Sequence, residues 1–391
     1  MIEQQDISAE ARAFMRSLYG ENKQITDDNY DKSLAVKCIN GTFVGKQKDN
    51  VIAYKGIPFV GKQPVGELRW KAPVDFVPDE GIYEAYYYGK SPYQADGDPC
   101  SLYVMGEDCL YLNVWKAAEP SAGKKPVMVW IYGGGFETGG TVDPQYDCYN
   151  FITENPDVIV VTVAYRLAAY GFMRLSHLPD GADYPDAQNL GIMDQMMGLK
   201  WVHENIAAFG GDPDNVTIFG ESAGGSSCTL ISLVKGSHQY FKRVITQSGT
   251  PAMTRSKEES IVWTNEVMKE LGCKTVADLQ KMWANDRMEK KSKLMTNEEN
   301  ALVESYLNSV PGEDWEKTTS LFTQSYFHAP AIRLSEYQTK AGGKAKEWPL
   351  YDIENKQVMV LDEFNIHPEK ESERKIVDWE RTYFLTKLYC N

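Results

Sequence analysis

The spacing of apolar and polar positions along this chain changes several times, and each change marks an element. Near the N-terminus Ile7, Ala11, Phe14, Met15 and Leu18 recur on one face of a helix that Gly20 stops, and the pattern predicts a helix packed on the outside of the domain. From Leu34 to Tyr54 short β-type runs alternate with turn residues, which predicts a small antiparallel sheet. Unbroken apolar runs come next: KPVMVWIYGGG and DVIVVTVAYRL each read as a buried strand, and NVTIF and FKRVITQSG read as strands. Between them GIMDQMMGLKWVHENIAAFG carries helical spacing at Ile192, Met196, Leu199, Trp201, Val202 and Ile206, and AGGSSCTLISLVKG reads as a second helix. Strands that are apolar on both faces and separated by helices predict a parallel sheet covered on both sides.

The third quarter reads as helical. SKEESIVWTNEVMKELGC, TVADLQKMW and TNEENALVESYLNSV are amphipathic, and Thr296 with Glu299 has capping-box spacing at the start of the last. The charged runs EDWEK and HPEKESERK are expected on solvated helix ends and faces, and RKIVDWERTYFLTKLY is expected to form a final helix.

Length and charge narrow the function classes. A chain of 391 residues is long enough for one large α/β domain or two ordinary ones. Lys plus Arg number 41 against 55 for Asp plus Glu, giving a net charge of −14. An acidic chain without a basic cluster is not expected to bind nucleic acid or an anionic membrane. The first residues, MIEQQDISAEAR, lack a basic segment followed by an apolar run, and no stretch approaches the roughly 18 apolar residues that span a bilayer. The expected location is therefore the cytoplasm. Seven cysteines without a Cys-x-x-Cys spacing suggest neither a zinc site nor a redox motif. Cys100 and Cys109 could be bridged in principle, but free, mostly buried thiols are the expectation.

The chemistry is concentrated in VTIFGESAGGSS, residues 216–227. Gly220-x-Ser222-x-Gly224 between a strand and a helix fits a nucleophile elbow, a sharp turn that brings backbone so close to neighbouring strands that little side chain is tolerated. The free N–H groups of the helix that follows favour a developing oxyanion. WIYGGGFETG places three glycines after a strand, a second source of N–H groups for a tetrahedral intermediate. A phosphate-binding reading of those glycines fails, because no Gly-Lys-Ser/Thr follows.

Several blocks together resemble one family: GIPFVGKQPVGELRWKAP, GEDCLYLNVW, VMVWIYGGGFETG, VTVAYRLAAYGFM, NLGIMDQMMGLKWVHENIAAFGGDPDNVTIFGESAGG and VITQSG. In order and spacing, over about residues 35–255, they look like the type-B carboxylesterase/lipase family, the α/β-hydrolases that include the cholinesterases. EWPLYD is similar to that family's last conserved stretch. The resemblance implies an α/β-hydrolase fold, with a central mostly parallel sheet, helices on both faces and a small N-terminal antiparallel sheet. The domain would run over residues 1–391, with 1–33 as an N-terminal helical extension and 256–345 helical and shortened relative to the family.

It also implies ester hydrolysis through a serine acyl-enzyme, with Ser222 as nucleophile. Gly134, Gly135 and Ala223 would supply the oxyanion hole, Glu221 would sit near the acyl pocket, Arg69 and Glu107 would form a structural ion pair, and the Tyr132 ring would border the glycine loop. The expected partner is a small to medium uncharged ester; no metal or organic cofactor is implied, and the oligomeric state is not legible. Because YQADGDPCSLYVM lacks the family's choline-site Trp, cholinesterase activity is not expected.

The family's remaining triad members are an acid in a Gly-Thr-Asn-x-x-Glu-Gly-type loop and a His in a Gly-x-His-x-x-Glu/Asp block. Neither pattern occurs here. TNEEN at 296–300 reads as a helix start, and only a few polar residues separate Gly343 from Trp348. Of His177, His203, His238, His328 and His367, only the last two follow Ser222 late enough for the order Ser, acid, His. The triad acid and His are therefore unassigned, and a non-catalytic binding or adhesion protein on an esterase scaffold is the alternative.

Overall fold

Why the strands gather into sheets as they do is clearest from which faces they bury. The computed structural model describes residues 9–94, 102–283, 357–361 and 366–370. Among these the strands are β1 (Ala35–Cys38), β2 (Asn40–Val44), β3 (Lys46–Lys48), β4 (Val51–Pro58), β5 (Asp79–Glu84), β6 (Ser91–Pro92), β7 (Met105–Gly106), β8 (Tyr111–Ala117), β9 (Lys125–Ile131), β10 (Ile159–Val163), β11 (Gly211–Glu221), β12 (Arg243–Gln247), β13 (Gln357–Leu361) and β14 (Ile366–Lys370). The helices are α1 (Ala9–Ser17), α2 (Tyr149–Glu154), α3 (Ala168–Phe172), α4 (Leu190–Asn205), α5 (Ala223–Leu233), α6 (Lys257–Glu270) and α7 (Val276–Trp283). The chain divides into two compact units, Met1–Gln247 with Ser260–Lys291 and Ser248–Glu259 with Ser292–Asn391.

The first unit holds a seven-stranded sheet in the order β12-β11-β9-β10-β8-β4-β3. From β12 to β10 every pair is parallel. From β10 through β8 and β4 to β3 every pair is antiparallel. The sheet is therefore mixed, not mostly parallel. A run apolar on both faces predicts burial but not direction: β8 is buried much like the parallel strand β10, with Leu112 and Val114 both at 0 % exposure, while the parallel strand β12 is exposed along its length.

The second correction concerns residues 34–54. Here β3 and β4 form a hairpin that extends the main sheet, while β1 and β2 pair with β5 in a separate three-stranded sheet whose β2–β5 pairing is parallel. The expected small antiparallel sheet is thus split between two mixed ones. In the second unit β13 and β14 form an antiparallel hairpin with Leu361 opposite Ile366. Residues 367–370, expected on a solvated helix end, lie in that strand. The third predicted helix, the EDWEK run and the predicted final helix fall outside the described residues.

Side-chain alternation along the strands feeds two cores. Val127, Val129 and Ile131 of β9 pack with Ile218 of β11, Leu199 and Val202 of α4, and Cys228 and Ile231 of α5. Trp115 of β8 and Val160 of β10 pack on the opposite face with Val51, Ile152 of α2 and Met15 of α1. Each such side chain contributes about 1.5–3 kcal/mol when fully buried. Helices therefore cover both faces, and α1 docks through Met15 while Phe14 stays exposed. The expected helix over residues 191–209 is α4, which starts one residue earlier, with a short 3-10 turn, stopped by Gly210 at φ +88. The five cysteines among the described residues are free thiols, four of them buried, and Cys109 is one; Cys100 lies outside the described residues.

Candidate active site

A single residue separates β11 from α5, and it is Ser222. Its backbone sits at φ 55 and ψ −122, a region costly for any residue with a Cβ, of order 1–3 kcal/mol. Two hydrogen bonds hold it there. The Ser222 N–H donates to the Gln247 carbonyl at the end of β12 (2.8 Å), and the Ser226 N–H donates to the Ser222 carbonyl (2.8 Å). The Ser222 side chain makes no capping bond to α5, so its hydroxyl is not consumed by the helix start it precedes. The turn is as tight as the sequence demands, since a Cβ on Gly224 would lie 2.0 Å from the Ile131 carbonyl oxygen at the end of β9.

The glycine loop meets this elbow directly. Gly133, the second residue past β9, is so close that a Cβ there would lie 2.6 Å from the Glu221 carbonyl oxygen and 3.1 Å from Ser222 Cβ. Gly134 and Gly135 follow at φ +109 and +64 and are exposed. The Gly134 carbonyl accepts from the N–H groups of Glu137 (3.0 Å) and Thr138 (2.9 Å) and from Thr138 Oγ1 (3.2 Å). The Phe136 carbonyl accepts from the Ala168 N–H (2.8 Å), tying the loop to the start of α3. Ala223 is buried at the first position of α5. Tyr132 is fully buried, stacked on Tyr165 at 4.5 Å, and its ring carbon lies 2.6 Å from where a Cβ on Gly139 would be. The Tyr132 ring therefore borders the loop.

Glu221 is exposed, and its Oε2 lies 3.2 Å from the position of a Gly133 Cβ. Its carboxylate also acts on Tyr146, whose hydroxyl is pushed up to about 12 by burial first and then by the charges of Asp143 and Glu221. Tyr146 packs on Trp130, which in turn packs on Phe219 of β11. One side of the elbow is thus lined by aromatic rings and carboxylates.

Two buried ion pairs brace the surroundings. Arg69 Nη2 donates to Glu107 Oε2 (2.9 Å), Gly66 N–H donates to the same oxygen (3.1 Å), and the side chains are 7 % and 10 % exposed. That is the pair the family resemblance implied. The other was missed: Arg166, just past β10, donates through Nε and Nη2 to Asp194 of α4 (2.8 and 2.7 Å), and its backbone N–H adds a third bond (3.0 Å). The signal was an Arg three residues past the end of a buried strand, next to buried Ala164 and Tyr165, a position where an unpaired charge is not tolerated.

The histidines are dispersed. His177 Nε2 bonds the Asn265 side chain (2.9 Å), His203 meets the Tyr240 ring edge-on at 5.7 Å, and His238 tilts onto Phe241 at 5.6 Å. His367 is a residue of β14, and His328 and residues 296–300 lie outside the described residues. Among the described residues no group of three or more His, Cys, Asp or Glu side chains is arranged to hold a metal ion.

A strained Ser at a strand-to-helix junction, pressed against a glycine loop, invites comparison with known hydrolases. Residues 32–315 match the model of the carboxylesterase family. The chain belongs to that family. Among its carboxylesterase-family relatives, para-nitrobenzyl esterase of Bacillus subtilis is 42% identical over 236 residues, covering 59% of this chain and 47% of that protein. Acetylcholinesterase of Electrophorus electricus is 40% identical over 214 residues, covering 52% of this chain and 33% of that protein. The chain thus spans about half the length, or less, of these curated relatives. A solved carboxylesterase of Geobacillus stearothermophilus superimposes with a TM-score of 0.56 at 38% identity, covering 61% of this chain and 50% of that one. A structure of PNB esterase superimposes with a TM-score of 0.67 at 29% identity, covering 79% and 77%. The fold is that of these carboxylesterases, the α/β-hydrolase fold.

Proposed function

We propose that this chain is a carboxylic ester hydrolase acting through a serine acyl-enzyme on Ser222. The observation that carries the reading is the left-handed backbone of Ser222 between β11 and α5, with Gly133 in contact behind it. In the proposed reaction Ser222 Oγ attacks the ester carbonyl carbon, and the carbonyl π electrons move to oxygen. That oxygen takes hydrogen bonds from the backbone N–H groups of Gly134, Gly135 and Ala223. Each such donor lowers the barrier by roughly 3–4 kcal/mol because it is aimed at charge that exists only in the transition state. Collapse expels the alcohol as the acyl group stays on Ser222, and water then releases the acid. The residue that accepts the Ser222 proton is left unassigned.

The substrate fitting this reading is a small to medium uncharged ester. The absence of Trp from YQADGDPCSLYVM, where the cholinesterases carry their choline-site Trp, argues against a quaternary ammonium substrate. The test is direct. A fluorophosphonate probe should label Ser222, and Ser222→Ala should abolish both labelling and p-nitrophenyl ester turnover. Turnover that survives Ser222→Ala would overturn the assignment.

A further inference from the structure

Three anchors hold the loop between Gly133 and Gly140, and one of them is a side chain from elsewhere in the chain. Gln94, two residues beyond β6, faces the backbone of Gly139. The Gly139 N–H donates to Gln94 Oε1 (2.8 Å), and Gln94 Nε2 donates to the Gly139 carbonyl (2.7 Å). A second Nε2 bond, to the Pro92 carbonyl (3.0 Å), fixes the plane of the amide. Both polar groups of one loop residue are thereby satisfied by one side chain. We infer that Gln94 is a positioning residue that sets the loop carrying the Gly134 and Gly135 N–H groups; this rests on the ester-hydrolysis reading above.

The physical chain from Gln94 to those N–H groups is short. Gly139 turns the loop back on itself: a Cβ there would lie 2.7 Å from the Gly133 carbonyl oxygen, and φ +115 admits little but glycine. Where Gly139 is held, the base of the loop is held. At the other end the Gly134 carbonyl is occupied by three donors from Glu137 and Thr138. A trans peptide unit points its C=O and N–H in opposite directions. Fixing that carbonyl therefore fixes the direction of the Gly135 N–H, away from the turn. The third anchor, the Ala168 N–H on the Phe136 carbonyl, is backbone on both sides.

The clamp is mounted on firm ground. Ser91 of β6 is 4 % exposed, and its hydroxyl lies within hydrogen-bond distance of Tyr19 (3.0 Å). The same oxygen lies 2.7 Å from the position of a Cβ on Gly140, so β6 runs alongside the returning arm of the loop. The chemistry required is that of an amide, one acceptor and two donors. An ionised carboxylate offers acceptors only and would face the Gly139 carbonyl unfavourably; Asn is one methylene too short.

The experiment compares the full chain with Gln94→Ala and Gln94→Glu, each first shown to be folded by circular dichroism. With p-nitrophenyl acetate, Gln94→Ala is expected to lower kcat about tenfold while KM stays within about twofold, because the misplaced donors serve the transition state more than the ground state. Gln94→Glu should be similarly impaired near neutral pH. Its kcat relative to the unsubstituted protein should rise as pH falls toward the carboxyl's range, normally about 4.3, because a protonated carboxyl can donate again. Hydrogen exchange, read without substrate, should speed up over residues 132–141 in Gln94→Ala and stay unchanged over residues 216–226. If the unsubstituted protein neither labels nor turns over ester, the ester-hydrolysis reading falls, and the exchange result alone decides the role of Gln94. Unchanged exchange over the loop, or a KM effect as large as the kcat effect, overturns the inference.

Discussion

The two halves of the seven-stranded sheet are built for different work. In the parallel half, β12, β11, β9 and β10 all run the same way, so their C-terminal ends open at one edge, where ligands bind in sheets of this kind. Each end delivers one piece of the candidate site. The end of β9 becomes the glycine loop, and the end of β11 becomes Ser222. The end of β10 leads to Arg166 and to Ala168, which fastens Phe136, while the end of β12 supplies the Gln247 carbonyl that holds the Ser222 N–H. In the antiparallel half, β8, β4 and β3 alternate direction, so their ends cannot collect at one edge. That half contributes burial instead, with Leu112, Val114, Ile57 and Ala117 at 0 % exposure, and closes at β3 with Lys46, Gln47 and Lys48, a short polar edge that discourages further pairing. Strand direction, which the residue pattern does not encode, is what separates the strands that meet at the candidate site from those that support it.

That division can be broken or sharpened by substitution. The largest effect is expected at the end of β11. Ser222→Ala should lower ester turnover by about 10⁶-fold if the full machinery is engaged, with the urea midpoint little changed. Next comes the joint between β10 and α4. Asp194→Ala leaves Arg166 charged and buried without its bidentate partner, and stability should fall by about 3–5 kcal/mol, measured by equilibrium denaturation. Because Arg166 leads into the Ala168 anchor, turnover per folded molecule should fall as well. In the antiparallel half, Leu112→Ala should cost about 2–5 kcal/mol but leave turnover per folded molecule unchanged; a loss of turnover there would erase the proposed division. The smallest effect is expected on β12. Ile245 is 44 % exposed, and Ile245→Thr should change stability by no more than about 0.5 kcal/mol.

How much of this was legible in the residues differs by element. Strands β9, β10, β11 and β12 were readable as short apolar runs, and helices α4, α5, α6 and α7 lie in the segments read as helices, with a clear stop such as Gly210 after α4. Ser222 and the glycine loop were readable because their geometry needs specific small residues at fixed spacing. What was not readable depends on partners far away in sequence. The β3–β4 hairpin looks the same whether it joins the main sheet or stands alone. The segment from Ile366 to Lys370 is polar enough to pass for a solvated helix end, and only pairing with β13 makes it a strand. Arg166 and Asp194 lie 28 residues apart and meet only because β10 and α4 pack together. Gln94 and Gly139 lie 45 apart, and nothing about a lone Gln announces a clamp.

The most direct measurement is acid quenching of the full chain during p-nitrophenyl acetate turnover, followed by peptide mass spectrometry. An acetyl group on the peptide containing residue 222, localised to that hydroxyl, is the expected result. Acetyl found on a different side chain, with none at 222 while p-nitrophenol is still being released, would contradict the account.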